Sequence, residues 1–256
     1  MRNAFLKQQV LLQHLNTAAE EVKNVRDSNR STVLFHHMEN LHNHLSQTNT
    51  PIPLSLAIIS NGVDVQSSSY FPSNTFPLKI AFQSNPEHST SSRNQGDIKM
   101  ANNTNKSNSC NNNMERNSTT SNQSSDIYCS QTDDLGGNLI SYAIYKVGDD
   151  LRQDQLTLQM IRVMDKLWLK EGLDMKMITF GCVPTGDRQG LVEMVTEAKT
   201  LKDIEVSGGR GVMGSFKETP VADWLKKYNS SILEFEKATD NFTKSCAGYS
   251  LSLIHI

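Results

Sequence analysis

The chain has 256 residues, of which 37% are hydrophobic, and its formal net charge is −2. This length is enough for one or two domains with a sizeable core, whereas the near-neutral charge gives no ground for a nucleic-acid-binding protein. No apolar run approaches about 20 residues, so no transmembrane segment is predicted. The four cysteines form no CxxC pair, which favours free thiols in a reducing compartment.

The first 50 residues are predicted to form two helices, over 5–24 and 31–47. Apolar residues of the first helix recur at helical spacing and indicate one buried face. They are Leu6, Val10, Leu11 and Leu15. The prolines that begin at Pro51 end the second helix.

A strand is predicted over 77–82, and a long segment of different composition follows it at 84–135. This segment is rich in Ser, Asn, Thr and Gln and poor in large apolar residues. Such a composition cannot bury enough apolar surface to offset the entropy of ordering the chain. We therefore predict a flexible surface loop inserted between two strands, with an aggregation-prone or interaction segment as the alternative.

After the insert, an apolar strand over 140–145 leads directly to Lys146. The strand would hold the lysine stem, so its ammonium would be a positioned charge for a phosphate. A glycine turn follows, and Asp149 and Asp150 can accept from the free N–H groups of the next helix. Asp154 is predicted on the apolar face of that helix, where a carboxylate needs a partner or a ligand. A solvated lysine and a carboxylate at the edge of the face remain the alternative.

The rest of the chain is predicted to contain two strands and then three helices. The strands, 175–183 and 190–195, flank a turn-rich connection over 184–190 that includes Asp187 and Arg188. The helices cover 200–205, 220–227 and 231–246. Because the strands come mostly before the helices, the pattern favours an α+β fold over a parallel βαβ fold.

Two further patterns are predicted to carry no site. Residues 209–214 spell GRGVMG, a match to GxGxxG, but no βαβ unit surrounds them and no Val-Ala-Ile-Lys strand follows. Four histidines lie in the second predicted helix, at 36, 37, 42 and 44. Their spacing fits no standard zinc pattern and no cysteine accompanies them, so a polar helix face is predicted.

Several segments, in their order along the chain, resemble the phosphoinositide 3-kinase catalytic domain. Their sequences are most similar to its class II branch. The segments are GDDLRQD (148–154), WLKEGLDMKMITFGC (168–182), TGDRQGLVEMV (185–195), GVMGSFKETPVADWLKKYN (211–229) and SCAGY (245–249). The stretch over 51–82 is similar to the entry to the same lobe. The resemblance implies a protein-kinase-like amino-terminal lobe, an antiparallel sheet plus helices, truncated before the carboxy-terminal lobe.

The resemblance also divides the chain and assigns nucleotide-binding roles. The divisions are linker helices (1–50), the start of the lobe with its phosphate loop (51–83), the insert (84–135), the remaining lobe with the hinge and the first carboxy-lobe helices (136–249), and a tail (250–256). In this family's arrangement Ser73 would cover the phosphates of ATP and Lys146 would neutralise their charge. Asp154 would orient the inner pocket and Lys146, Phe180 would line that pocket, and Ile144 would face the adenine. Backbone groups of Glu193 and Val195 would bind the adenine edge, so that their side chains would matter little.

The activity that the resemblance implies is transfer of the ATP γ-phosphate to the 3-hydroxyl of phosphatidylinositol or phosphatidylinositol 4-phosphate, with Mg²⁺. The sequence contains neither an Asp-Arg-His-Asn-type catalytic loop nor an Asp-Phe-Gly metal motif. We therefore expect no catalytic residue or metal ligand in this chain, and an inactive fragment. Its last six residues, LSLIHI (251–256), resemble a translated sequencing adapter and are expected to carry no function. The expected location is the cytoplasm, with recruitment to inositol phospholipids of the plasma membrane or endosomes through regions outside this chain. A short isoform that binds nucleotide or a protein partner without catalysis is the alternative.

Overall fold

The structure, a computed structural model, describes residues 2–85, 139–207 and 220–253. The predicted insert, apart from its first two residues, and the GRGVMG segment lie outside this range. Two helices begin the chain, α1 (Arg2–Asn24) and α2 (Asp27–Thr48). They confirm the two predicted helices, and each begins a few residues earlier than its pattern indicated.

The buried face of α1 differs from the predicted one. Leu11 and Leu15 are fully buried, but Leu6 is 53% exposed and Val10 is 36% exposed. The buried stripe continues instead through Ala18 and Val22, at the spacing expected for one side of a helix. The prediction was wrong for Leu6 and Val10 because the face that α1 presents to its neighbours is set by packing against α2 and the sheet.

The histidines of α2 contact neighbouring elements of the fold. His37 Nε2 lies 2.9 Å from a carboxylate oxygen of Glu21 on α1. His42 Nδ1 lies 2.9 Å from the carbonyl oxygen of Val63. These contacts tie α2 to α1 and to the sheet.

An antiparallel sheet of seven strands follows, in the order β1-β2-β4-β5-β7-β6 with β3 paired to β4. The strands are β1 (Thr50–Ile52), β2 (Ser55–Val63), β3 (Ser69–Tyr70), β4 (Leu78–Ser84), β5 (Leu139–Val147), β6 (Cys182–Gly186) and β7 (Gln189–Glu193). β4 and β5 pair without interruption from Leu78↔Tyr145 to Ser84↔Leu139. The strands before and after the insert are therefore direct neighbours in the sheet.

The two faces of the sheet have different roles. One face packs against α1 and α2 and is fully buried or nearly so at Leu78, Ile80, Phe82, Ala143, Tyr145 and Leu191. Because successive side chains of a strand alternate between faces, Ile144, Lys146 and Val192 lie on the opposite face. These three residues are only partly buried, although Ala81 on the same face is fully buried. The helical hairpin thus supports the sheet from behind and leaves the other side open.

The remaining helices are α3 (Arg152–Lys170), α4 (Leu201–Ser207), α5 (Pro220–Tyr228) and α6 (Ile232–Leu253). They confirm the predicted α+β class with its antiparallel sheet and later helices. α3 packs against β6 and α6. α6 continues past its predicted end at 246 and includes residues 250–253.

The predicted strand over 175–183 is wrong for most of its length, because β6 begins only at Cys182. Residues 175–181 form no strand, and Ile178 among them contacts α6 instead. The Tyr249 hydroxyl donates to the carbonyl of Ile178 and accepts from its amide, at 3.0 Å for the amide. A side chain from a helix therefore satisfies peptide groups that a strand would have paired.

Candidate functional site

Lys146 lies near the end of β5, opposite Gly190 of β7. Its Nζ is 3.5 Å from Oδ2 of Asp149, and the two side chains are 32% and 42% exposed. An ion pair this open to solvent contributes little to stability, so the ammonium remains available to an anion. Asp149, which the sequence suggested only as a helix-capping residue, is therefore the carboxylate that contacts this lysine.

A glycine turn links Lys146 to the start of α3. Gly148 has a φ of +104°, which side-chain-bearing residues rarely adopt. Asp150 then accepts from the Arg152 amide at 3.1 Å and from its guanidinium at 2.8 and 2.6 Å. These hydrogen bonds lower the pKa of Asp150 to about 2. The predicted role of an aspartate at the helix start is confirmed for Asp150.

The loop that contains Ser73 reaches this turn from the neighbouring strand. Ser73 is exposed, its amide donates to the Phe71 carbonyl at 2.9 Å, and its carbonyl accepts from Phe76 at 3.2 Å. Thr75 Cγ2 lies 3.5 Å from the point where a β carbon on Gly148 would be. From α2, the Arg30 guanidinium stacks on the Phe76 ring at 3.8 Å. The structure thus brings the Ser73 loop and the Lys146 turn together at one end of the sheet.

A small apolar cluster lies beside these residues, where α3 meets β6. Leu151, Leu158 and Cys182 form it, and Phe180 and Val192 pack against them. Arg162 holds the backbone here, with its Nη2 2.7 Å from the Phe180 carbonyl oxygen. Ile144 is paired with Val192 across β5 and β7. Phe180 and Ile144, the two predicted lining residues, are therefore near the same cluster.

Asp154 lies at the rim of this cluster. It is exposed, whereas Leu151 and Leu158 are buried, so it lies at the edge of their apolar face, the alternative that the sequence left open. Its charge nevertheless acts on the Cys182 thiol. Burial raises the pKa of Cys182, the charge of Asp154 raises it further, and Lys146 opposes the increase. Both charges therefore act on the Cys182 thiol, whereas Lys146 forms its ion pair with Asp149.

The segment predicted as a hinge begins at the end of β7. The Met194 amide donates to the Tyr142 carbonyl at 3.1 Å, so the peptide groups of Glu193 point away from β5. The Glu193 amide donates to the Gly181 carbonyl at 2.7 Å, and its carboxylate accepts from the Gly181 amide at 2.6 Å. The Glu193 side chain thus holds the Gly181 backbone, a contact that the sequence did not indicate. Val195 follows β7 and is half-buried.

Sequence patterns missed a second lysine on the open face of the sheet. Lys79 of β4 lies opposite Ile144, and its Nζ is 4.6 Å from the centre of the Tyr142 ring. Finding it required the pairing of β4 with β5 across the insert. Without that register, the sequence gives no reason to place Lys79 and Lys146 on the same face.

Gly190, opposite Lys146, allows an unusually close approach of backbones. A β carbon at this position would lie 2.5 Å from the Val183 carbonyl oxygen and 2.8 Å from Leu151 Cδ1. We expect Gly190→Ala to lower the free energy of unfolding by roughly 1–3 kcal/mol, as overpacking does. Chemical denaturation of the chain measures this change.

The matched control for that substitution is Gly186→Ala in the same hairpin. There the added methyl group would meet only the flexible side chain of Gln189. The control should therefore cost much less stability. Equal losses in the two variants would contradict the close-approach argument.

The antiparallel sheet of this chain carries a lysine, an adjacent aspartate and a loop at one end, and helices pack behind it. This arrangement is that of the amino-terminal lobe of a kinase-like catalytic domain. Residues 140–255 match the family described as phosphatidylinositol 3- and 4-kinase. The matched segment belongs to that family, and the resemblance found in the motifs is confirmed.

Relatives support the same assignment over most of the chain. It is 36% identical over 248 residues to the phosphatidylinositol 4-phosphate 3-kinase C2 domain-containing subunit alpha of Pongo abelii. It is 36% identical over 249 residues to the corresponding subunit beta of Homo sapiens. Phosphatidylinositol 3-kinase 1 of Dictyostelium discoideum is 32% identical over 251 residues. These alignments cover 97–98% of this chain but only 12–13% of each relative.

Proposed function

We propose that this chain is the nucleotide-binding part of a lipid kinase that transfers the γ-phosphate of ATP to the 3-hydroxyl of an inositol lipid, phosphatidylinositol or its 4-phosphate. The observation that carries the proposal is the meeting of three features at one end of the sheet. Lys146 lies 3.5 Å from Asp149, and the loop after Ser73 contacts the intervening glycine turn. The names of the relatives, which are phosphatidylinositol 3-kinases, support the lipid substrate.

The residues present fit the phosphate groups of ATP. Lys146 supplies a half-exposed cation on a rigid strand, which would neutralise phosphate charge. The exposed Ser73 loop would contribute a hydroxyl and backbone N–H groups beside it. Asp149 would keep the lysine ammonium directed toward that loop. Together these groups would position the phosphates, which is the main task of a protein in phosphoryl transfer.

The adenine would lie further along the same open face. Ile144 and Phe180 would contribute apolar contact, and the Glu193 carbonyl and the Val195 amide would bind the base edge. The Glu193 amide already donates to Gly181, which leaves its carbonyl as the acceptor. Asp154 would act on the inner pocket from the rim of the cluster at Cys182.

Within residues 2–85, 139–207 and 220–253, no three His, Cys, Asp or Glu side chains converge to hold a metal ion. We propose that the ligands of Mg²⁺, which accompanies ATP, lie in regions outside this chain, as the family resemblance implies.

Membrane contact is proposed to occur through regions outside this chain. Among the described helices, none is long and apolar enough to cross a bilayer. A kinase of cytoplasmic location that is recruited to inositol phospholipids at the plasma membrane or endosomes is consistent with this finding.

Binding of ATP to the purified chain tests the proposed function. ATP should displace a fluorescent ATP analogue in a saturable manner, and inorganic phosphate at the same concentration should displace much less. Equal displacement by the two anions would contradict a nucleotide site, because it would indicate attraction of any anion to Lys146.

We expect the 256-residue polypeptide to show no lipid phosphorylation above background with ATP and Mg²⁺. The physical reason is that positioning and metal electrostatics supply nearly all the catalysis of phosphoryl transfer, and its sequence contains no Asp-Phe-Gly motif. Radiolabelled 3-phosphoinositide is the product to measure. Product that disappears in Lys146→Ala would contradict this expectation. Nucleotide binding without turnover in a longer product of the same gene would favour the non-catalytic alternative.

A further inference from the structure

Arg188 occupies the turn between β6 and β7, which the sequence identified only as a connection. It is exposed, and its φ of +51° lies in the left-handed region. A residue other than glycine, asparagine or aspartate is uncommon in this conformation. The turn therefore holds an arginine where local backbone preference alone would favour another residue.

The contacts of Arg188 connect this turn to the one after Lys146. The Gly148 amide donates to the Arg188 carbonyl at 2.7 Å. In return, the Arg188 guanidinium donates to the Gly148 carbonyl from Nε at 3.0 Å and from Nη2 at 2.7 Å. Both polar groups of Gly148 are thus held by one residue from a different hairpin.

Gly148 is the residue between the two parts of the ion pair. Lys146 precedes it by two residues and Asp149 follows it directly, with 3.5 Å between their charged atoms. The Thr75 side chain lies against the other side of the glycine. The orientation of the Gly148 peptide therefore determines where Asp149, and with it the lysine ammonium, lies relative to the Ser73 loop.

We propose that Arg188 is a positioning residue of the nucleotide site, which fixes the Gly148 peptide so that Asp149 holds the Lys146 ammonium in front of the Ser73 loop. The proposal rests on the proposed function of this site. Arg188 acts through the two hydrogen bonds to one carbonyl, a planar two-point contact that a lysine cannot reproduce.

The test compares Arg188→Ala, Arg188→Lys and the control Arg152→Ala in the full chain. Arg152 is also exposed, lies at the same turn and contacts Asp150. Its removal therefore deletes an equal charge without releasing Gly148. Both arginines are exposed, so their replacement should leave the fold intact. Dissociation constants are measured for ATP and for adenosine, which lacks the phosphates.

Arg188→Ala should weaken ATP binding on the order of tenfold, the scale of one hydrogen bond to a charged group. Adenosine binding should not change, and Arg188→Lys should fall between the wild-type chain and the alanine variant. Hydrogen exchange of the Gly148 and Asp149 amides without nucleotide should be faster in Arg188→Ala and unchanged in Arg152→Ala.

Other results would overturn the proposal. An equal loss of ATP affinity in Arg152→Ala would show that only bulk charge matters. Unchanged ATP affinity or unchanged exchange in Arg188→Ala would refute the positioning role while leaving the proposed function in place. If the wild-type chain bound no ATP, the proposed function would fail, and this proposal with it.

Discussion

Under the proposed function, replacing Lys146 with methionine in a longer product of the same gene should lower lipid phosphorylation by at least ~10²-fold, the scale of removing one preorganised electrostatic contact. The methionine keeps an unbranched apolar stem but removes the cation. In the wild-type chain the Lys146 ammonium lies 3.5 Å from Asp149. Without that ammonium, Asp149 would present an unneutralised negative charge to the phosphates. The rate of 3-phosphoinositide formation measures the effect, and ATP binding by the 256-residue chain should weaken in parallel.

Lys217→Met is the internal control for that experiment, because Lys217 follows the GRGVMG segment that sequence analysis set aside. It should have far less effect than Lys146→Met. If Lys217→Met abolished activity while Lys146→Met retained it, the assignment of the phosphate lysine would be wrong. The glycine-rich segment would then have to be considered as the nucleotide loop.

Replacing Phe82 with alanine should lower the free energy of unfolding by ~3–5 kcal/mol, the usual cost of truncating a buried aromatic residue. Phe82 is fully buried on β4, opposite Ser141 of β5 and Val63 of β2. Its ring fills the space between the sheet and the helical hairpin, where β2, β4 and β5 meet. Loss of the ring would leave a cavity that three paired strands cannot easily close. Denaturation by urea measures the change.

Leu56→Ala provides the comparison, because Leu56 is 60% exposed on β2. Its truncation should change stability only slightly. A loss below ~1 kcal/mol for Phe82→Ala, well short of the range for large core residues, would mean that the hairpin does not pack on the sheet as described. The support of the sheet by α1 and α2 would then be refuted as well.

Local patterns predicted several elements well. The two amino-terminal helices, the strands on either side of the insert and α3 all occur near their expected positions. Each has a strong local signal. For the helices it is the period of 3.6 residues, and for the strands it is a short apolar run. β2 was missed, although it runs from Ser55 to Val63. The predicted strand at 175–183 failed because its peptide groups bind Tyr249 of α6, a partner 71 residues away.

In the candidate site, too, local motifs identified some residues, whereas contacts between distant segments could not be predicted. Motif order alone pointed to Ser73, Lys146 and the hinge segment, because each motif is a local string of residues. The motifs did not identify Asp149 as the partner of Lys146, since the distance from its Nζ to Asp149 depends on the conformation of the Gly148 turn. That conformation depends in turn on Arg188, forty residues further along the chain.

The sequence by itself determined the α+β class, the main helices, the family resemblance and the position of Lys146 near the end of a strand. These properties follow from short-range periodicity and from motifs whose residues are contiguous. Only the tertiary structure decided that Asp149 pairs with Lys146, that Asp154 lies at the rim, and that the Glu193 carboxylate anchors the hinge. The physical reason is that each of these contacts depends on strand register and turn geometry, which are set by pairing between distant segments.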